Sequence, residues 1–337
     1  MTNSPPALHV TLVATPDTQV SPLSGLYETF NAFSLLSEFE RDLPKKPFIV
    51  EIVAPDANSK VDMSGLSVGT HQSCEEIEHT DIVIVPLMMV KGPDWVKGRY
   101  PVLVNWLRTM YSKGAIMCSA CTGILLLAET GLLDGRTATI HWAFAPTFHR
   151  NFPNVKLKTK EILVTAGDHH EFIMTGGVMS WHDLALYLIA RFIGPMGAQA
   201  ISRFLMLQWH AEGQAPYIIF IPKTDHDDAL ILQLQKWLRS NFMLSNAVEE
   251  LVDRSGLPRR TLERRFRKAT KYSPLNYIQN LRIAEARRKL ERSNQSIEKI
   301  CFNVGYENTA FFRRLFKRIT KMSPGAYRRK FHLSISD

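Results

Sequence analysis

The 337-residue chain is 45% hydrophobic and 22% charged, a globular composition sized for two domains, which excludes a disordered polypeptide. No run of about 18 apolar residues occurs, since the stretch 82–90 is short and broken by Pro86, so a membrane-spanning helix is excluded. The formal charge of +9 is unevenly divided: residues 1–227 hold 17 Lys and Arg against 22 Asp and Glu, while residues 228–337 hold 24 against 10, a basic excess that points to a polyanionic partner rather than a surface tuned for solubility. Four scattered cysteines, Cys74, Cys118, Cys121 and Cys301, do not form a disulfide framework. Residues 1–15 hold no basic segment ahead of their apolar stretch, so the expectation is a chain without a secretory signal, in a reducing cytoplasm and away from membranes.

In chain order, the first half alternates strands and helices. Residues 8–14, 48–54, 82–86, 115–119, 162–165 and 172–175 are short, rich in Val and Ile, and bounded by Gly, Pro, Asp or Lys, which predicts buried strands. Residues 25–36, 124–129, 143–152 and 183–192 carry helical periodicity, and a further helix is predicted over 197–209. Such alternation builds a parallel sheet with helices on both faces. Periodicity then lapses, so domain one is placed at 1–210, a linker at 211–228 and domain two at 229–337.

Domain two is predicted to be all-helical and contains a repeat. Residues 251–256 match 300–305 at a shift of 49; Phe266-Arg267-Lys268 matches Phe316-Lys317-Arg318, Thr270-Lys271 matches Thr320-Lys321, Ser273-Pro274 matches Ser323-Pro324 and Tyr277 matches Tyr327, all at 50. Each copy reads as helix, glycine turn, helix. In the first, Asn246 and Glu249 suggest a capping box, Gly256 a helix stop and Pro258 a first helical position. In the second, Ser296 caps the first helix, Gly305 makes the turn, and Asn308 or Thr309 starts the second helix. That is the geometry of DNA-reading helix-turn-helix units. Leu262 and Phe266, like Phe312 and Phe316, form inward stripes. Arg259, Arg260, Glu263, Arg264 and Arg267 then face outward, as do Asn308, Thr309, Arg313, Arg314 and Lys317, side chains able to read base edges. Arg265, Lys268, Lys271, Arg318 and Lys321 are placed on phosphates.

Residues 229–331 resemble the AraC/XylS DNA-binding domain, in which a long helix bridges two helix-turn-helix subdomains. The match runs through Leu251, Gly256, Leu262, Arg264, Phe266, Ser273-Pro274, the run 282–287, Ile300, Val304-Gly305-Tyr306, Phe312, Arg314, Phe316-Lys317 and Ser323-Pro324. Pro258 and Phe311 depart from the family pattern. The resemblance implies promoter DNA and RNA polymerase as partners, and activation as the usual outcome.

Residues 115–124 run from a predicted strand through small residues into an apolar helix, the layout of a nucleophile elbow with Cys121 at its centre. A helix N-terminus favours a thiolate, and His141 supplies a candidate base. The segments 121–142, 175–177 and 183–186 resemble the PfpI-like branch of the class I glutamine-amidotransferase fold, and more narrowly the sensor domains fused to AraC-type regulators. The resemblance implies a flavodoxin-like sheet over roughly 8–195. Catalytic members place His after the cysteine, an acid in the loop after the first strand and a glycine pair after the strand ending in Pro86. Here those places hold Thr122, the acid-free Ser21–Gly25 and Leu87-Met88, which argues against amide hydrolysis.

The expected function is therefore a DNA-binding regulator whose first domain senses a small metabolite without catalysis and forms a homodimer. Cys121, Thr122, Gly123, His141, Gly176, Gly177 and Met88 are the expected ligand pocket, at the sheet edge where such folds bind ligands. The competing classes are a PfpI-like amidase, protease or glyoxalase carrying a DNA-binding domain, and an architectural DNA binder without a ligand. Cys118-x-x-Cys121 has redox spacing, but Cys118 falls in a strand. His169-His170, with Asp168 and Glu171, reads as a loop. No metal or cofactor is assigned.

Overall fold

A computed structural model of the chain describes residues 6–56, 60–63, 65–90 and 94–332. The outer ends of the two expected domains, residues 1–5 and 333–337, lie outside these. The chain forms two compact units, Met1–Gln214 and Ala215–Asp337.

The first unit is built on a seven-stranded sheet in the order Leu163–Ala166, Phe172–Thr175, Ile116–Ala120, Ile82–Val85, Leu8–Val13, Phe48–Ala54, Gln72–Ser73. The neighbours from Phe172–Thr175 to Gln72–Ser73 pair in parallel. The Leu163–Ala166 strand closes one edge antiparallel to Phe172–Thr175. Ile82–Val85 and Phe172–Thr175 are buried along their whole length, as a sheet covered on both faces demands. One face packs under the helices Pro101–Ser112 and Ile124–Glu129. The other packs under Val20–Asn31, Trp181–Phe192 and Pro195–Phe204. This is the α/β parallel fold expected from the strand–helix alternation.

The boundaries differ in places that matter. The first helix starts at Val20 rather than 25, so the loop after the first strand is 14–19. The helix expected over 197–209 spans Pro195–Phe204, with proline in its first turn. Periodicity did not reveal the helix Pro101–Ser112 or the hairpin Lys60–Met63/Leu66–Gly69. The stretch read as a linker divides: Gln214 is fastened within the first unit by bonds from Nε2 to the carbonyls of Ile140 (3.0 Å) and Glu161 (3.2 Å). Phe220 packs into the core of the second.

The second unit repeats itself at atomic detail. Helices Ala247–Ser255 and Arg259–Thr270 form one pair, and Ile297–Asn303 and Thr309–Thr320 the other, with Pro274–Arg292 between them. Lys271 and Lys321 both take left-handed backbone, φ 69° and 63°. Thr270 and Thr320 each donate back to the carbonyl four residues before, Phe266 and Phe316, both at 2.8 Å. Ser273 and Ser323 then cap the next helix, each accepting from the amide three residues on. Tyr277 meets Phe266 edge-on at 5.2 Å, and Tyr327 meets Phe316 at 5.4 Å. The second Ser-Pro starts a helix absent from the sequence reading, Pro324–Phe331. The capping box expected at Asn246 does not form: Asn246 makes no cap bond and its amide reaches Glu250 instead. Pro258 takes the cap position, one residue before the helix.

Candidate functional site

In the sheet, Leu8–Val13 is the strand at which the order reverses. The chain first runs out to Phe48–Ala54 on one side, then returns to Ile82–Val85 on the other. The crevice at the C-terminal ends of such strands is the usual ligand position. Here the two loops at that crevice are laced together. The Gln19 N–H donates to the Leu87 carbonyl (2.9 Å), the Met89 N–H donates to the Asp17 carbonyl (2.7 Å), and Thr18 bridges Met88.

Cys121 stands beside this crevice, where Ile116–Ala120 ends. Its φ of 55° is the strained left-handed turn of an elbow. Gly123 is needed on steric grounds, because a Cβ there would lie 2.3 Å from the carbonyl oxygens of Val85 and Pro86. Thr122 locks the turn: its hydroxyl donates to the Met88 carbonyl at 2.5 Å and accepts from the Met88 N–H at 3.2 Å. The Met88 N–H is thereby bonded within the protein.

The thiolate expected at this helix start is not favoured. Cys121 is 0% exposed, and desolvation pushes its thiol from 9.0 up to about 12, against weaker opposing hydrogen bonds from Thr122 and the His141 backbone. The His141 imidazole faces its own turn, Nδ1 accepting from the Ala143 N–H at 3.2 Å, and the ring stacks on Trp142 at 5.4 Å. Burial holds its pKa down. His141 therefore comes beside Cys121 through its main chain. Cys118 is buried in its strand, and its thiol is pushed up by desolvation.

The acid-free loop is also corrected. The loop after the first strand holds Asp17, 2% exposed, which the early helix start brings to the crevice. Its carboxylate pairs with Arg99 and accepts from the Tyr100 hydroxyl at 2.6 Å. Arg99 lies over the rings of Trp95 and Tyr100, at 5.8 and 5.3 Å. Sequence reasoning missed this group because the helix boundary was set five residues late. Of the remaining expected ligand residues, Met88, Thr122 and Gly176 are buried and Gly177 is half-buried. Gly176 lies against the Gln214 amide, where a Cβ would come within 2.0 Å of Nε2. His169 and His170 occupy the turn between two antiparallel strands, both exposed.

In the second unit, Arg259, Arg260, Glu263, Arg264, Arg267 and Lys268 are exposed on Arg259–Thr270, opposite the buried Leu262, Phe266 and Ala269. Arg259 lies between Glu249 (3.6 Å) and Glu263 (3.5 Å). Arg265 forms a two-point pair with Asp228, 2.6 and 2.9 Å, which fastens it to the N-cap of the helix Ala229–Asn241. On Thr309–Thr320, Arg314 and Lys317 are exposed, and Arg313 pairs with Glu298 at 2.8 Å. Asn308 caps that helix, its amide oxygen accepting from the Phe311 N–H at 2.8 Å. Thr309 is half-buried and bonds the Cys301 thiol.

Residues 23–174 match the DJ-1/PfpI family, and residues 251–330 match a helix-turn-helix domain family. The HTH-type transcriptional regulator CdhR of Pseudomonas aeruginosa is 27% identical over 301 residues, 89% of this chain and 86% of its own. GlxA of Rhizobium meliloti, also an HTH-type transcriptional regulator, is 28% identical over 290 residues, 82% of this chain and 84% of its own. The chain is an AraC-type helix-turn-helix regulator with an N-terminal DJ-1/PfpI domain. Among solved structures, an AraC family transcriptional regulator from Pseudomonas putida aligns with TM-score 0.47 at 16% identity, covering 59% of this chain and all of that one. Drosophila melanogaster DJ-1beta aligns with TM-score 0.47 at 15% identity, covering 60% of this chain and all of that one. No helix among the described residues is long and apolar enough to cross a membrane.

Proposed function

We propose that this regulator activates promoters in the cytoplasm, together with RNA polymerase, in response to a small metabolite sensed at the crevice beside Cys121, with no chemistry at the thiol. The bond between Thr122 and Met88 carries this reading. It ties up a donor that acyl transfer would require, while burial keeps the thiol protonated. Gly176 serves packing on Gln214 in this account, and the effector contacts are assigned to Met88, Cys121, Thr122, Gly123, His141 and Gly177, with Asp17 and Arg99 added. An effector regulates only by binding two states of the chain with different affinity. Homodimerisation is assigned to the Pro195–Phe204 helix, which exposes Met196 and Phe204, the latter 6.2 Å from the exposed Phe39 ring. DNA reading is assigned to Arg260, Arg264 and Arg267 in the first copy and to Arg313, Arg314 and Lys317 in the second. Arg259, Glu263 and Lys268 support the first, and Asn308 and Thr309 set the start of the second.

A cysteine amidase or protease is the second reading, and Asp17 is the observation in its favour, being an acid in the loop where catalytic relatives keep one. Its engagement with Arg99 and Tyr100 weighs against it. A reporter assay of Cys121→Ser separates the two. The sensor reading expects a preserved response, with at most a shifted effector concentration. Loss of response with normal operator binding would establish the enzyme reading instead.

A further inference from the structure

Among the described residues, the donors that converge in space are not His169 and His170 but His182, Asp183 and His210, from segments 27 residues apart. Their ligand atoms lie within 4.8 Å of one another. His210 Nδ1 is 2.7 Å from Asp183 Oδ2, and His182 Nε2 is 3.7 Å from the same oxygen. The carbonyl of Gln208, which accepts from His182 Nε2 at 2.9 Å, is a fourth donor for an ion that displaces that proton. Donors around a tetrahedral zinc ion stand about 3.3 Å apart, and these separations bracket that value. The two rings are 5.1 Å apart at 30°.

Charge argues in the same direction. Asp183 is 0% exposed, and its ion-pair partners are these two imidazoles. An imidazole supplies a full positive charge only when protonated, whereas a divalent cation supplies it outright, and a carboxylate cut off from water needs such a partner. The Asp183 Oδ1 oxygen accepts from the His210 backbone N–H at 2.8 Å, which orients the carboxylate and leaves Oδ2 directed at the rings.

We propose that His182, Asp183 and His210, with the Gln208 carbonyl, form a structural site for a first-row divalent cation of the zinc type. Two imidazoles and a carboxylate suit zinc, and a fourth donor from the main chain makes the site closed rather than catalytic. The ion would staple residues 208–210 to the first turn of Trp181–Phe192, five residues before the chain passes into the second unit at Ala215. None of these four residues is among the crevice contacts assigned above, so the proposal does not depend on what the crevice binds.

The test uses the full-length, tag-free chain stripped with a chelator, then dialysed against zinc and analysed for metal. One zinc per chain is expected, with a rise in Tm on zinc addition. His182→Gln and His210→Gln should each lose both effects. Cobalt(II) loaded into wild type should give the visible bands of a four-coordinate nitrogen–oxygen site without a sulfur charge-transfer band. Wild type that retains no metal overturns the proposal, as does a thiolate signature in the cobalt spectrum or equal zinc retention by both folded variants. Should a variant fail to fold, the wild-type stoichiometry and spectrum decide alone.

Discussion

A single hydroxyl, that of Thr122, sets how the elbow behaves: bonded to both polar groups of Met88, it holds the crevice loop against the turn that carries Cys121. The thiol of neighbouring Cys121 is buried and protonated. Since its pKa rises from 9.0 to about 12, thiolate at pH 8 should be about 10³-fold scarcer than in the unfolded chain. Alkylation of Cys121 in the native protein, followed by peptide mapping, should therefore be slower than in urea by a factor of that order. A folded state that holds the proton more tightly keeps this contribution below pH 9 and loses it as pH rises toward 12. Denaturant midpoints should fall over that window, and Cys121→Ala should flatten the fall. In the second unit, Arg260→Ala or Arg264→Ala should cost about 1–3 kcal/mol at the cognate site and relax base preference, whereas Lys268→Ala should weaken all sequences alike. Competition binding against random DNA measures both, and an unchanged selectivity ratio in all three variants would refute these roles.

At the scale of elements, the Pro274–Arg292 helix ties the two helix-turn-helix copies together through one side chain. Arg282 is buried and donates to the carbonyls of Phe242 (2.7 Å), Leu244 (2.7 Å) and Gly305 (2.9 Å), with its guanidinium 4.8 Å from the Tyr306 ring. Gly305 faces the same junction: its φ is +89°, and a Cβ would lie 2.3 Å from the Met243 carbonyl oxygen. Gly305→Ala should thus destabilise the second unit by about 1–3 kcal/mol or more, read as a lowered Tm, with DNA affinity falling in parallel. Much of this architecture was legible because it is written locally. Runs of Val and Ile marked the sheet strands, and a shift of 50 exposed the duplicated Thr-Lys, Ser-Pro and Tyr positions that recur as equal hydrogen bonds and ring contacts. The candidate site was less legible because its meaning lies in pairings across the fold. Nothing in the sequence says that Thr122 meets Met88, that Asp17 meets Arg99, or that His182 and His210 share one carboxylate. The helix Pro101–Ser112 escaped because Val102, Val104, Trp106 and Tyr111 suit strands as well as helices.

For the whole molecule, the division at Gln214/Ala215 predicts which fragments stand alone. Arg287 is buried and holds the carbonyls of Ala215, at 2.9 Å, and Ile218. Phe220 stacks edge-on against Tyr277 at 5.3 Å. A fragment of residues 215–337 should therefore melt at a higher temperature than one of residues 229–337, which leaves Arg287 without its acceptors. Equal melting temperatures would show that 215–228 adds nothing to the fold. Both fragments should bind duplex DNA with affinity that falls steeply as salt rises, because the basic excess of this unit displaces counterions. The most direct test of the account is a hydroxyl-radical footprint of the full-length chain on a selected operator. Two reading helices per chain predict two protected patches about 34 Å apart, one helical turn, on a single face of the DNA. Protection of only one half-turn per chain would contradict the two-helix reading on which the regulator rests.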